Sequence, residues 1–221
     1  MSFKASLLHF IVMSALAFPA FAAAAQDTGS RGGAIELVGF GDSLMAGYQL
    51  APSESYTAQL ETALKEKGHN VTVTNAGVSG DTTAGGLSRI DWSVPDGTDG
   101  VILELGANDA LRGISPEQSE KNLDAMLSRL KERNIPVLLV GMLAPPNMGG
   151  DYAERFNPIY QRLAEKYGVP LYPFFLDGVA TVEGMQLEDG MHPNAKGVAV
   201  MVEKTLPSLE RFLGAIGAKE K

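Results

Sequence analysis

The chain contains no cysteine and only three histidines among its 221 residues, and its positive charges are few. The absence of cysteine excludes disulfide bridges, thiolate zinc sites, iron–sulfur clusters and cysteine nucleophiles. The chain carries 18 Lys and Arg against 26 Asp and Glu, which gives a net charge of -8. Proteins that bind nucleic acids neutralise phosphates with clustered Lys and Arg, and the sequence shows no such cluster. We therefore expect no nucleic acid partner.

The shortage of histidine also argues against a catalytic metal ion, because a catalytic zinc site usually takes two or three histidines. His9 lies in the N-terminal segment described next, which leaves His69 and His192 for the folded domain. These two are separated by most of the domain, so we predict no metal site. A histidine base at neutral pH must then be one of the two. His69 follows Gly68 at the end of a helix-like segment and is predicted to cap that helix.

The first 25 residues have the layout of a secretory signal peptide. Lys4 is followed by an apolar run over residues 5–18 and then by alanines that end at Ala25. A charged start, an apolar centre and an A-x-A site are typical of a signal that is cleaved. The alternative is a membrane anchor, but the apolar run is shorter than the ~20 residues that a spanning helix needs. We predict a signal peptide over residues 1–25, one domain over residues 26–221, a periplasmic or secreted location and no stable membrane anchor after cleavage.

Strand-like apolar runs alternate with helix-like segments along the rest of the chain. The strand-like runs cover residues 34–40, 71–74, 101–105 and 137–140, with a weaker one at 170–173. Helical periodicity covers residues 56–64, 115–130 and 156–167 and resumes at 194, where Pro207 is expected to kink the last helix. Strands that alternate with helices predict an α/β domain with a parallel, roughly five-stranded sheet covered on both faces.

Polar and glycine-rich segments follow the predicted strands. In such a sheet, ligands bind beyond the carboxyl ends of the strands. The segments there are Gly41-Asp42-Ser43-Leu44, residues 75–81, Gly106-Ala107-Asn108-Asp109 and residues 141–145, and Asp189-Gly190-Met191-His192 comes later in the chain. We therefore expect the functional residues in these segments.

These segments contain the groups that ester hydrolysis needs, namely a nucleophile, a base, an orienting group and oxyanion donors. Ser43 can serve as the nucleophile, and His192 can accept its proton. Asp189, three residues before His192, can hold the imidazole Nδ1–H within one loop. The backbone amides of Ser43 and Gly77 and the side-chain amide of Asn108 can form the oxyanion hole.

Each of these residues also has a purely structural interpretation. Ser43 can cap a helix, because serine after a strand often does so. Gly77 and Asn108 can simply shape turns, and Asp109 is predicted to be a helix cap. A backbone carbonyl or a water molecule can orient His192 in place of an aspartate.

Taken together and in this order, the segments resemble the four sequence blocks of the SGNH, or GDSL, hydrolase superfamily. The strings GDSLMAGY, NAGVSGDTT, ELGANDALRG and DGMHPN are similar to its periplasmic arylesterase and thioesterase I/lysophospholipase L1 branch. The resemblance implies a flavodoxin-like three-layer α/β/α sandwich and acyl-ester hydrolysis without a cofactor. It also implies Ser43 as nucleophile, Gly77 and Asn108 as oxyanion donors, and Asp189 with His192 as the acid–base pair.

The expected substrate is a small-molecule acyl ester or thioester. Leu111, Ile114, Met142 and Leu143 follow two of the strand ends and are predicted to form an apolar trough for an acyl chain, although ordinary loop packing explains them equally well. Two alternatives to this function stay open from the sequence. One is a carbohydrate O-deacetylase that uses the same residues, and the other is an extracytoplasmic binding protein without catalysis.

Overall fold

The computed structural model describes residues 33–219, so the predicted signal peptide lies outside the described residues. Five parallel strands form one sheet in the order β2-β1-β3-β4-β5. The strands are β1 Ile35–Gly41, β2 Val71–Gly77, β3 Gly100–Glu104, β4 Val137–Val140 and β5 Leu171–Tyr172. Every residue of β3 and β4 is buried, which explains why both sequences are apolar apart from Glu104 at the end of β3. The predicted parallel α/β sheet is confirmed.

Eight α-helices cover the sheet within the described part of the chain. They are α1 Ser43–Ala46, α2 Tyr56–Glu66, α3 Thr83–Ser93, α4 Ala107–Leu111, α5 Pro116–Glu132, α6 Gly150–Phe156, α7 Ile159–Tyr167 and α8 Ala195–Lys219. Helix α2 packs against α8, whereas α3, α5 and α7 pack side by side as a second group. The two groups cover opposite faces, so the domain is a three-layer α/β/α sandwich.

The strand order places a functional crevice beside β1 and β3. The chain leaves β1 toward one edge strand, β2, and then returns through β3 to the other half of the sheet. Connections therefore leave the carboxyl ends of β1 and β3 toward opposite faces, which opens a crevice between them. Ser43 comes two residues after the end of β1, and Asn108 comes four residues after the end of β3.

Two predicted elements differ from the structure. The helix predicted over residues 156–167 is split into α6 and α7, and the break falls at Asn157 and Pro158, where proline lacks the N–H that a continuous helix would use. Helix α3 was not predicted, because Gly85 and Gly86 lower its helix propensity. A Cβ at position 86 would lie 2.2 Å from the Leu105 side chain, so α3 needs this glycine to pack closely on the sheet.

Helix ends follow the expected chemistry only in part. Ser115 caps α5, since its side chain accepts the Gln118 N–H at 3.2 Å. The reciprocal bond of a capping box does not form, because the Gln118 side chain donates to Asn122 at 2.9 Å instead. Helix α8 continues through Pro207, so the proline does not end it. None of the helices within residues 33–219 combines the length and apolar character needed to cross a bilayer.

Candidate active site

The turn between β1 and α1 presents Ser43 at the crevice. Asp42 is the N-cap of α1, and its Oδ1 accepts the Leu44 N–H at 3.0 Å. Gly47, with φ of +78°, ends this one-turn helix in the left-handed conformation. Ser43 is thus held between a strand end and a short helix, and only 8% of its surface is exposed.

His192 and Asp189 reach Ser43 from the loop that precedes α8. The distance between His192 Nε2 and Ser43 Oγ is 2.9 Å, and that between His192 Nδ1 and Asp189 Oδ2 is 2.6 Å. An ionised carboxylate can only accept, so Nδ1 carries the proton and Nε2 is free to accept from the serine hydroxyl. The three side chains therefore form one continuous hydrogen-bonded chain.

Hydrogen bonds keep Asp189 ionised. Its partial burial acts to raise the pKa, but the backbone N–H groups of His192 and Met191 and the imidazole outweigh that effect. Together they lower the pKa of Asp189 to about 2. Its Oδ1 accepts the Met191 N–H at 2.9 Å and the His192 N–H at 3.0 Å. The carboxylate is therefore charged throughout the neutral range and fixed by its own loop.

The loop that carries His192 is tied at both ends. The Leu187 N–H donates to the His192 carbonyl at 2.8 Å, and the Asn194 side chain donates to the carbonyls of Gly184 and Gln186. The Tyr48 ring packs on the imidazole with a centroid distance of 4.4 Å. These contacts limit the orientations that the imidazole can adopt.

The other histidine of the domain has a structural position. The His69 N–H donates to the Leu64 carbonyl at 3.0 Å beyond the end of α2, whose C-cap residue is Lys67 and not the predicted His69. Its Nε2 lies 3.7 Å from Glu210, on α8. Within residues 33–219, no three His, Asp or Glu side chains converge in a way that could hold a metal ion.

Asn108 lies beside the turn that carries Ser43. Its Nδ2 donates to Asp42 Oδ2 at 3.1 Å, and this bond uses one of the two amide hydrogens. The second hydrogen stays available to a substrate. The Ser43 N–H has no acceptor within the described residues. Two of the three predicted oxyanion donors are therefore free to bind a substrate oxygen.

Gly77, the third predicted donor, has another role in this structure. It is not in a loop but is the last residue of β2, paired with Gly41. Its N–H donates to Asn75 Oδ1 at 2.9 Å and is already used. A Cβ at position 77 would lie 2.2 Å from the Ala46 backbone nitrogen, so α1 can pack here only against glycine.

The turn after β2 offers a different backbone donor. The Asp81 N–H donates to the Val78 carbonyl, and Gly80 inside this turn has φ of +84°. Within the described residues the Gly80 N–H has no acceptor. The sequence signal for this turn is the second glycine of the block, because glycine readily adopts positive φ.

Asp109 does cap a helix, but not its own. It lies inside α4, fully buried, and its carboxylate accepts the Thr83 N–H at 2.7 Å at the start of α3. The same carboxylate accepts the hydroxyls of Thr83 and Ser119, and Asn122 donates to the Thr83 hydroxyl at 2.9 Å. Asp109 therefore links three helices directly behind Asn108.

Three buried charged residues that the sequence patterns do not reveal surround the turn that carries Ser43. Burial raises the pKa of Asp42 to about 6, although the bonds from Leu44 and Asn108 oppose the shift. Arg89, from α3, donates to the Gly41 and Ala76 carbonyls at 2.8 Å each and to Asp81 at 2.6 Å. Arg89 thus clamps the ends of β1 and β2. Glu104, the charged residue in the apolar β3 run, is also fully buried.

A cleft of about 610 Å³ opens from Ser43 and His192. Its lining is mainly apolar and includes Leu44, Leu111, Met142, Leu143, Pro145, Pro146, Phe174, Leu176, Ala180 and Met191. Leu111, Met142 and Leu143 thus lie where the sequence analysis expected them.

Ile114 does not line the cleft, which corrects the prediction that it forms part of the trough. Its carbonyl accepts the Tyr152 hydroxyl at 2.7 Å, and its N–H donates to the Asp109 carbonyl. These bonds tie its backbone to α6 and α4.

The sequence and structure are similar to those of characterised esterases. The GDSL-like Lipase/Acylhydrolase family matches residues 40–200. The chain is 40% identical to an arylesterase of Vibrio mimicus over 179 residues, which cover 80% of this chain and 90% of that protein. It is 39% identical to thioesterase 1/protease 1/lysophospholipase L1 of Escherichia coli K12 over 175 residues, 79% of each chain. The crystal structure of AlinE4, an SGNH-hydrolase family esterase, is 48% identical with a TM-score of 0.70, and the match covers 82% of this chain and 98% of that one.

Proposed function

Because the chain belongs to the GDSL-like lipase/acylhydrolase family and is a serine esterase, we propose that Ser43 is its nucleophile, His192 its general base and Asp189 the orienting carboxylate. One observation carries this assignment. His192 lies within hydrogen-bond reach of both partners, 2.9 Å from Ser43 Oγ and 2.6 Å from Asp189 Oδ2, at the mouth of an apolar cleft. The arrangement matches the roles of a Ser-His-Asp triad.

The proposed reaction has two halves. In the first, His192 Nε2 takes the proton of Ser43 while Oγ attacks the acyl carbon, and the leaving oxygen or sulfur then departs with that proton. In the second, a water molecule gives its proton to Nε2 and attacks the acyl-enzyme, which releases the acid and restores Ser43. Asp189 holds Nδ1–H throughout and stabilises the imidazolium in both halves.

The oxyanion is bound by preorganised N–H groups in this proposal. The Ser43 N–H and the second Asn108 Nδ2–H serve as two donors, because neither hydrogen has an acceptor among residues 33–219. We propose Gly80 as the third donor in place of Gly77, whose N–H is bonded to Asn75. Donors that need no reorganisation during the reaction are the main source of rate in such sites.

The position of the turn around Gly80 supports this choice. The Val78 N–H donates to the Gly41 carbonyl at 3.0 Å, which ties the turn to the end of β1. Arg112, directly after α4, donates to the Gly80 carbonyl at 2.8 Å. The Gly80 peptide therefore lies between the segments that carry Ser43 and Asn108.

The proposed substrates are acyl and aryl esters, together with acyl thioesters or lysophospholipids. The apolar lining of the cleft supports an acyl chain, because each buried CH₂ contributes up to ~0.8 kcal/mol of binding. A carbohydrate would need polar partners for its hydroxyls, and the lining offers few of them. The cleft therefore favours lipid-like acyl esters over the O-deacetylase alternative.

Two measurements on the mature protein test this proposal. A fluorophosphonate should label the wild type and leave Ser43→Ala unlabelled. The ratio kcat/KM should rise with acyl chain length and then level off once the cleft is full. Leu143→Asp, at an exposed part of the lining, should lower kcat/KM for long esters and spare acetyl esters. Ile114→Asp is the matched control. Because Ile114 lies off the cleft, this variant should change kcat/KM equally for short and long esters.

Three results would contradict the proposal. An equal loss on short and long esters in Leu143→Asp would mean that the cleft does not bind the acyl chain. A preference of the wild type for acetylated sugars would favour the deacetylase. An unlabelled wild type would remove Ser43 as an activated nucleophile.

We also propose that the enzyme is exported. The charged start, apolar centre and alanine run over residues 1–25 support a cleaved signal. Mass spectrometry of the mature protein should find an N-terminus between Ala23 and Gln26, in the periplasmic fraction of the producing cells. An intact Met1 in purified membranes would instead indicate an anchored protein.

A further inference from the structure

Glu104 is a buried acid that contacts the turn carrying Ser43. Its side chain has no exposed surface, and its Oε2 accepts the Asp42 N–H at 3.3 Å. A Cβ at position 41 would lie 2.5 Å from this oxygen, so the carboxyl group packs against the Gly41 backbone. Its other oxygen, Oε1, is the one buried side-chain polar atom within residues 33–219 that has no partner. A fully buried group with an unpaired oxygen requires an explanation.

Among residues 33–219, no cationic side chain forms an ion pair with Glu104. The groups that face it and its neighbour Asp42 are Arg89 from α3, Asp109 from α4, Tyr160 from α7 and His192 from the loop before α8. Arg89 is bonded to Asp81 and two carbonyls, and Tyr160 donates to the Leu105 carbonyl. A buried carboxylate without a partner is strongly disfavoured. Burial and the charge of Asp42 accordingly raise the pKa of Glu104 well above its usual range.

The hydrogen bonds decide which of the two acids carries the proton. The Asp42 carboxylate accepts the Leu44 N–H at 3.0 Å and Asn108 Nδ2–H at 3.1 Å, and both bonds stabilise its charged form. Glu104 accepts a single, longer bond. Two acids this close titrate as a pair, and the first proton to leave is the one whose loss is better compensated. The charge therefore belongs to Asp42 and the proton to Glu104.

We propose that Glu104 is an uncharged positioning residue for the proposed nucleophile, Ser43. Its neutral carboxyl group accepts the Asp42 N–H and so fixes the backbone of the turn. The Asp42 carboxylate can then accept from Asn108 and orient it. This inference rests on the proposed function, because Glu104 and Asp42 can place a nucleophile and oxyanion donors only if Ser43 and Asn108 have those roles. Glu104 does not line the cleft, so it acts on the reaction and not on substrate binding.

Two substitutions separate the hydrogen bond from the charge. Glu104→Gln is uncharged and keeps an oxygen for the Asp42 N–H, so it should retain kcat at neutral pH. Glu104→Leu has a similar volume but no acceptor, and should lower kcat by about 3- to 10-fold with KM unchanged, the size expected for one lost hydrogen bond. A parallel change in KM, or equal kcat in Glu104→Leu and the wild type, would overturn the positioning role.

The protonation state has a readout that does not involve activity. Infrared difference spectra at neutral pH should show the C=O stretch of a protonated carboxylic acid in the wild type, and Glu104→Gln should lack it. Absence of that band from the wild type would overturn the proposal. The band does not depend on Ser43, whereas failure of the proposed function would appear as an unlabelled wild type in the fluorophosphonate assay.

Stability against pH gives an independent test. Because its pKa is raised on folding, Glu104 keeps a proton that the unfolded chain loses near pH ~4.3. The free energy of unfolding of the wild type should therefore fall relative to Glu104→Gln as pH rises above that value toward the folded-state pKa. Glu36→Gln, the same change at an exposed position of β1, is the control for the substitution itself. A constant difference between Glu104→Gln and the wild type across pH would mean that Glu104 is ionised in the folded protein.

Discussion

Polar side chains tie helices together in two regions of this protein, and the regions differ in their exposure to water. Behind the active site, the support cluster joins α3, α4 and α5 and consists of Thr83, Asp109, Ser119 and Asn122, all of them at most 5% exposed. Along the outer surface, the surface ladder joins α5 to α6 and α7 through the ion pairs Glu117–Arg155, Glu120–Arg162 and Asp124–Lys166. Its side chains are between 32% and 65% exposed.

This difference in exposure determines how much a polar contact contributes to stability. Water can replace a partner lost from the surface ladder, so each of its ion pairs contributes little to stability. Water cannot reach the support cluster, so a lost partner there leaves a buried donor unsatisfied. The support cluster also adjoins the site, since Asp109 directly follows Asn108. Polar groups are therefore concentrated and buried at the carboxyl end of the sheet, where geometry must be held closely.

The largest expected effect is a loss of kcat on substitution of Ser43, at the site that adjoins the support cluster. Ser43→Ala should lower kcat for ester hydrolysis by about 10⁴–10⁶, because no acyl-enzyme can form. The melting temperature should change little, since the hydroxyl contacts only His192 within the described residues. Ser128→Ala, at a half-buried serine of α5, is the matched control and should leave kcat unchanged. Substantial activity in Ser43→Ala would assign the nucleophile to another residue.

The neighbouring pair Asn108 and Asp109 separates catalysis from stability. Asn108→Ala removes one proposed oxyanion donor and should lower kcat by about 10²–10³. The free energy of unfolding should fall far less than in Asp109→Ala, because Asn108 makes one partly buried bond to Asp42. Full kcat in Asn108→Ala on an ester substrate would reduce this residue to a structural role.

Asp109→Ala tests the support cluster itself. The change leaves the buried Thr83 N–H and hydroxyl without their acceptor and leaves the Ser119 hydroxyl only the Ser115 carbonyl at 3.4 Å. It should lower the free energy of unfolding by about 2–5 kcal/mol in urea titrations. Asp109→Asn keeps an oxygen for the Thr83 N–H and should lose less. If Asp109→Ala were as stable as the wild type, the cluster would not differ from the surface ladder.

The smallest expected effect belongs to the surface ladder. Arg162→Gln removes a two-bond contact with Glu120, yet the arginine side chain is 46% exposed. The free energy of unfolding should fall by less than about 1 kcal/mol, and the difference should shrink at high salt because surface charges are screened. Urea titrations at low and high salt give this measurement. A loss as large as that of Asp109→Ala would contradict the distinction between the two regions.

The sequence predicts contacts well where the partners are close in the chain. Asp189 and His192 are three residues apart and meet within one loop. It predicts contacts poorly where they depend on distant packing. Nothing local to Gly77 reveals that β2 continues to this residue and that α1 packs on it. The apolar character of Ile114 likewise does not encode the chain direction after α4, which takes this residue away from the cleft.

The amino-acid sequence by itself determined the strands, most helices, the site segments and the type of chemistry, because periodicity, caps and the serine and histidine side chains are local properties. The tertiary structure alone decided which groups meet. His192 reaches Ser43 across 149 residues of chain, and the Asp42 N–H meets Glu104 across 62. The charge state of Glu104 follows from burial, which many distant residues create together. A carboxyl group has the same formula in water and in the core, and only the fold sets the free energy of its ionisation.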